Sequence, residues 1–103
     1  MRLEHYEPDV LKKQILAIVG MHLDLNRYRV FFFGSRVIGR GDDRSDIDVG
    51  IEGPEPIPFH IMAGIRAQAD ALPTLYKVDV VDFARVSPRF RDVALQHTEV
   101  IHG

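Results

Sequence analysis

The spacing of hydrophobic residues divides the chain into helical and extended stretches. Three stretches repeat apolar residues every three or four positions, which predicts amphipathic helices: 9–25, 59–72 and a segment that begins at Pro88 behind Ser87 as its N-cap. Three others are rich in aromatic and β-branched residues, which predicts strands: 28–33, 46–51 and 76–83. The order helix, strand, strand, helix, strand, helix predicts an α/β (α+β) fold with a small mixed sheet covered by helices.

The first predicted strand ends at a glycine–serine turn, and a pair of acids follows. Gly34 and Ser35 come directly after the strand, and ten residues separate them from Asp46-Ile47-Asp48. Side chains two positions apart on a strand point to the same face, so Asp46 and Asp48 can bind the same ions. Glycine permits a close backbone approach, and backbone N–H groups where a turn opens a short helix bind phosphate. Together these features predict a nucleoside triphosphate site.

A third acid, Asp79, interrupts the apolar run of the last predicted strand. A carboxylate in such a strand is costly to bury unless a cation or hydrogen bonds compensate it. If this strand lies beside the second, Asp79 reaches the patch made by Asp46 and Asp48. Three carboxylates on one face repel one another, and this predicts a site for divalent cations, with two Mg²⁺ ions as in two-metal catalysis.

Arginines surround the predicted turn. Arg36 follows it directly and is predicted to bind phosphate, because a guanidinium contacts phosphate through two parallel hydrogen bonds. Arg40 and Arg44 lie in the polar loop that follows, and their roles stay open. Asp82 lies on the opposite strand face from Asp79 and is predicted to be a cap or a surface acid.

The composition defines the setting of this site. The 103 residues predict a single domain over 1–103, and the net charge of −2 argues against a nucleic-acid binder. Because the chain has no cysteine, disulfides, thiolate metal sites and a cysteine nucleophile are excluded. No apolar run approaches the ~20 residues of a membrane span. The first residues lack the apolar core of a signal peptide, and a cytoplasmic location is therefore predicted.

The two turn residues and the three acids resemble a known signature. Gly34-Ser35, ten residues, Asp46-Ile47-Asp48 and the later Asp79 resemble the DNA polymerase β-like nucleotidyltransferases, over roughly residues 9–83. The short chain resembles their minimal branch (MNT), which pairs with HEPN-domain proteins as the antitoxin of toxin–antitoxin systems.

This resemblance implies roles for individual residues. Asp46 and Asp48 would ligate metal, while Asp79 would share one ion and serve as, or position, the base for the acceptor hydroxyl. Gly34 and Ser35 would hold the triphosphate. The implied reaction transfers a nucleoside monophosphate, usually AMP from ATP, to a hydroxyl of the partner protein and releases pyrophosphate.

Other interpretations of the same residues stay open. The acids could form a solvated strand edge, or Asp79 a structural ion pair. About twenty residues follow the last predicted strand, too few for a domain that binds the acceptor. The chain could therefore neutralise a partner by contact alone, or act as a free-standing transferase on a small molecule or an RNA hydroxyl. The apolar stripe of 90–101 is predicted to contact a partner protein or a second copy of the chain.

Overall fold

The computed structural model describes residues 1, 3, 6–34, 36–37, 39 and 46–103. In chain order, the elements of this part are α1 (Pro8–His22), β1 (Arg29–Phe33), β2 (Ile47–Glu52), α2 (Phe59–Asp70), β3 (Val78–Asp82), α3 (Pro88–Ala94) and β4 (Glu99–His102). The predicted mixed sheet covered by helices is thus confirmed. Across the residues described, no helix combines the length and the apolar character needed to cross a lipid bilayer.

The four strands form one sheet in the order β3-β2-β1-β4. β2 and β3 run parallel, with α2 as the crossover between them, and β1 is antiparallel to both β2 and β4. Four of the five residues of β1 are buried, from Val30 to Phe33. The nearly continuous apolar run of the first predicted strand therefore corresponds to a strand that is covered on both faces, as predicted.

Helices α1 and α2 cover one face of the sheet. Val30 and Phe32 of β1 point to this face, where they join the buried residues of both helices. The helix residues in this core are Leu11, Ile15, Ile18, Val19, Met62, Ile65 and Ala69. Their spacing of three, four and seven positions is the apolar stripe that predicted the two helices.

The opposite face carries an aromatic cluster beside α3. Phe31 and Phe33 of β1 pack with Phe83, and Ala94 and Leu95 lie against them. The rings of Phe31 and Phe83 meet edge to face at 4.9 Å over Gly50 of β2. A Cβ atom at this glycine would lie 2.5 Å from the Phe31 ring, so only glycine lets the two rings close over the strand. The polar face of β2 therefore becomes apolar at Gly50.

A double ion pair fastens α3 to the sheet. Glu52, the last residue of β2, accepts from Arg29 of β1 at 2.8 Å with one carboxylate oxygen. Its other oxygen accepts from Arg91 of α3 at 2.7 Å. The short helix is thereby held on the same face of the sheet as the aromatic cluster.

The C-terminal segment differs from the prediction. Ser87 caps α3 as expected, because its hydroxyl oxygen accepts from the backbone N–H of Phe90. The helix ends at Ala94, however, and Glu99–His102 forms a fourth strand along β1. This strand has only four residues and polar ends, so it showed no alternating pattern. The other elements were placed correctly, with differences at their ends. The predictions of α1, α2 and β3 were too long, because α1 ends at His22, α2 ends at Asp70 and β3 spans Val78–Asp82. Strand β2 begins and ends one residue later than predicted.

Asp82 was predicted to be a cap or a surface acid, and the surface interpretation is wrong. Its side chain is only 4% exposed. One carboxylate oxygen accepts from the backbone N–H of Ile57 at 2.8 Å, and the other accepts from the N–H of Ala84 at 3.0 Å. Arg85 pairs with the same carboxylate. Asp82 thus fixes the connector before α2 by accepting from the N–H of Ile57. No pattern in the local sequence shows that this N–H needs an acceptor.

Candidate active site

The strand register places Asp48 at the centre of the candidate site. Asp48 pairs with Phe33 of β1 on one side and with Asp79 of β3 on the other. Paired residues on neighbouring strands share a face, and such strands lie about 4.8 Å apart. Asp46 directly precedes β2, two positions before Asp48. The three acids predicted from the sequence are therefore brought to one end of one face.

The electrostatics of Asp48 show that these acids interact. Partial burial, followed by the negative charges of Asp79 and Asp46, raises the pKa of Asp48 from 3.8 to about 6. Carboxylate oxygens are the ligands that Mg²⁺ prefers, and a divalent cation would relieve this repulsion, so the donor set fits the predicted metal. Within the described ranges, no group of three or more His, Cys, Asp or Glu side chains is arranged to hold an ion. Shared ligation by all three acids therefore stays a prediction.

Asp79 is exposed, contrary to the expectation of a desolvated carboxylate. Its neighbours Val78 and Val80 are buried, so the strand has one covered face, as the apolar run suggested. The sequence could not show that β3 is an edge strand of the sheet and that this end of its other face is open to solvent. An acceptor group can therefore approach Asp79 from outside.

Gly34 lies against the carboxylate of Asp48. Its φ is +86°, in the left-handed region, and an added Cβ would overlap Oδ2 of Asp48. The backbone conformation therefore favours glycine here, and any larger residue would also have to displace the Asp48 carboxylate. The backbone N–H of Val37 donates to the carbonyl of Gly34 at 3.2 Å, and that of Gly39 donates to the carbonyl of Arg36 at 3.3 Å. These bonds span three residues, as in the short helical turn predicted after the first strand.

The structure places Arg36 against an aromatic ring that sequence reasoning missed. Arg36 is 7% exposed, and its guanidinium lies 4.6 Å from the ring centroid of Tyr76. Tyr76 was predicted only as the first residue of a strand, and no spacing rule connects it with a residue forty positions earlier. Ser35, Arg40 and Arg44 lie outside the described residues, and their predicted or open roles are untested.

We expect Asp48→Asn to stabilise the fold at neutral pH when divalent cations are removed. Because the pKa of Asp48 is raised in the folded state, its ionisation costs stability as the pH rises from about 4 through about 6. A shift of this size corresponds to about 3 kcal/mol, and solvent screening of the half-buried side chain reduces it to about 1 kcal/mol. Thermal melting in EDTA should show a higher Tm for the variant at pH 7 and a much smaller gain at pH 4.5.

Asp92→Asn is the matched control, because Asp92 is an exposed acid on α3. It should leave the Tm within error at both pH values. A gain for Asp48→Asn that is equal at pH 7 and pH 4.5 would contradict the assignment of the raised pKa to Asp48.

Known proteins share both the sequence and the fold of this chain. It is 33% identical over 85 residues to the "Probable protein adenylyltransferase MntA" of Haemophilus influenzae, spanning 81% of this chain and 75% of that protein. A chain of a toxin–antitoxin crystal structure with AMP-PNP is similar with a TM-score of 0.72, at 19% identity, over 89% of this chain and 73% of that one.

A second structural relative comes from Shewanella oneidensis. It belongs to a structure of the tri-AMPylated HEPN toxin in complex with MNT antitoxin, with a TM-score of 0.68 and 17% identity, over 91% of this chain and 71% of that one. At such identities the structural similarity establishes the fold. The family model described as "Polymerase beta, Nucleotidyltransferase" matches residues 13–103. The chain therefore belongs to the polymerase β nucleotidyltransferase family, as the spacing of its glycine–serine turn and acids predicted.

Proposed function

We propose that this chain is a Mg²⁺-dependent adenylyltransferase that transfers AMP from ATP to a hydroxyl of a HEPN-type toxin and so acts as its antitoxin. The observation that carries the proposal is the row of Gly34, Asp48 and Asp79 across three adjacent strands. The name of the Haemophilus influenzae relative and the toxin complexes among the structural relatives support it. Residues 1–103 would act as a single minimal nucleotidyltransferase domain.

The order of this row suggests how substrates are arranged. The turn at Gly34 and Ser35, with Arg36, would hold the triphosphate at the end of β1. Asp46 and Asp48 would ligate Mg²⁺ at the start of β2, in the middle of the row. Asp79, on β3, would face the acceptor hydroxyl. The leaving group and the attacking hydroxyl then lie on opposite sides of Asp48, as an in-line displacement requires.

The transfer exchanges one phosphorus–oxygen bond for another. The acceptor oxygen attacks the α-phosphorus of ATP, and the bond from that phosphorus to the oxygen bridging to the β-phosphate breaks. Pyrophosphate leaves, and the hydroxyl proton passes to Asp79 or to a base that Asp79 positions. Bound Mg²⁺ would supply charge neutralisation on the phosphates.

The exposure of Asp79 favours a protein as the acceptor. Asp79 lies on an edge strand, and its side chain is open to solvent. A side-chain hydroxyl on a folded partner can reach such a position without entering a deep pocket. A small acceptor would need an enclosing site to be oriented by this chain alone.

We expect Mg²⁺ and [α-³²P]ATP to label the HEPN-domain protein encoded nearest to this chain, whereas [γ-³²P]ATP should not label it. Only the α-phosphate stays with the acceptor when pyrophosphate leaves. EDTA should abolish labelling, and Asp48→Asn should reduce it by about a hundredfold, because the loss of even an outer-sphere partner of a metal ligand costs about 10–100-fold. Asp24→Asn, which changes an exposed acid between α1 and β1, should label normally. Absence of label with every NTP, on folded proteins, would contradict the proposal.

A contact-only antitoxin is the second candidate, and an exposed apolar surface favours it. Phe90, Val93 and Val100 are 44%, 61% and 59% exposed in the segment predicted to contact a partner. The double variant Asp46→Asn with Asp48→Asn separates the two functions in cells that express the toxin. Under the adenylyltransferase proposal it should still bind the toxin but lose neutralisation. Full neutralisation by this variant would favour the contact-only function.

We expect Gly34→Ala to abolish binding of Mg²⁺ with AMP-PNP, measured by isothermal titration calorimetry. The new methyl group would displace the Asp48 carboxylate and force the turn out of its conformation. Gly39→Ala is the matched control, because Gly39 also has a positive φ, +73°, and its added Cβ would meet nothing within 4 Å. Both variants should lose about 1 kcal/mol or more from backbone strain. Equal nucleotide affinity in the two variants would contradict this role of Gly34.

A further inference from the structure

The contact between Arg36 and Tyr76 joins the two sides of the candidate site. Both residues are 7% exposed, and the guanidinium lies over the ring at 4.6 Å. A guanidinium stays charged when it is buried, and the face of an aromatic ring within about 6 Å attracts that charge. Arg36 is two residues after Gly34, and Tyr76 is three residues before Asp79.

Arg36 is central to the turn that would bind phosphate. Its carbonyl accepts from the N–H of Gly39, and the preceding hydrogen bond, from Val37 to Gly34, spans it. A side chain held at this position therefore restrains both hydrogen-bonded segments. If the guanidinium shifted, the turn would move relative to the Asp48 carboxylate, against which Gly34 lies.

Tyr76 offers a fixed surface on the other side. Its backbone N–H donates to Oγ1 of Thr74 at 3.2 Å, and its ring belongs to the core beneath the sheet. The next residue, Lys77, accepts from the N–H of Ile47 at 2.8 Å, directly before the paired residues of β2 and β3. The ring is therefore held in the core, directly before the strand pairing that aligns Asp48 with Asp79.

We propose that Tyr76 is a positioning residue that holds the phosphate-binding turn beside the metal-binding acids through its stack on Arg36. The proposal rests on the proposed nucleotidyltransferase function and adds to it. Arg36 then contributes to triphosphate binding by fixing the backbone of the turn. Its stack on residue 76 requires an aromatic face at that position. Aromatic substitutions should preserve this role, and aliphatic ones should not.

The first experiment compares Tyr76→Leu with Tyr76→Phe by titration calorimetry with Mg²⁺ and either AMP-PNP or AMP. Tyr76→Leu should weaken AMP-PNP binding roughly tenfold, less than the ~100-fold that a misplacement of about 1 Å can cost. Binding of AMP should change little, because AMP lacks the β- and γ-phosphates. Tyr76→Phe keeps the aromatic face and should bind AMP-PNP like the wild type.

Tyr28→Leu is the matched control for the loss of a buried tyrosine. Tyr28 is 8% exposed and lies directly before β1, at the end opposite Gly34. It should lower the Tm as Tyr76→Leu does, while leaving AMP-PNP affinity unchanged. An equal loss of AMP-PNP affinity in both leucine variants would overturn the proposal, as would a Tyr76→Phe variant as weak as Tyr76→Leu.

A double-mutant cycle with Arg36→Met tests whether the two residues act together. If Tyr76 acts through Arg36, the double variant should bind AMP-PNP no more weakly than the weaker single variant. Independent contributions would instead add, and additivity would overturn the proposal. If Tyr76→Leu does not fold, Tyr76→Met takes its place in the cycle, because the flexible methionine side chain refills irregular space.

The outcomes separate this proposal from the function on which it rests. A wild-type protein that binds neither AMP-PNP nor ATP with Mg²⁺ would overturn both. Wild-type binding together with full AMP-PNP affinity in Tyr76→Leu would overturn the positioning role alone and leave the proposed transferase intact.

Discussion

The parallel pairing of β2 with β3 is the constraint on which the candidate site depends. It sets Asp48 opposite Asp79, while the antiparallel pairing with β1 sets Asp48 beside the end of that strand. Side chains alternate between faces, so a slip of one residue would turn Asp79 toward the helices. The buried residues Val78 and Val80 prevent this, because the slip would expose both of them. The core thus fixes the register that the acids require.

The acidic residues at this end of the sheet destabilise the fold electrostatically. Asp48 is partly buried beside two other carboxylates, and the rise of its pKa to about 6 measures how unfavourable its charge is there. The aromatic cluster begins on the same face, where Phe33 pairs with Asp48 and Phe31 closes over Gly50. Apolar packing over the rest of this face compensates for electrostatic repulsion at its end. A bound cation would relieve this repulsion, because its positive charge offsets the neighbouring carboxylates.

The sequence predicted the elements that have strong periodicity and missed what depends on distant contacts. Local hydrophobic patterns predicted helices α1 and α2 and strands β1 to β3. The spacing of the acids predicted the approach of Asp48 to Asp79. Strand β4 could not be predicted in the same way, because its four residues become a strand only through the free edge of β1. The burial of Asp82 likewise depends on the connector that folds over it.

Tyr76 illustrates the same limit within the site. Motif spacing identifies groups that chemistry requires at fixed positions, such as the glycine of the turn and the acids. It does not identify the groups that hold them, because many side chains can support one backbone conformation. In this chain the support for the turn comes from a ring at the start of another strand, 4.6 Å from Arg36. Candidate reactive residues can therefore be proposed from sequence, whereas the groups that position them are found only in the folded structure.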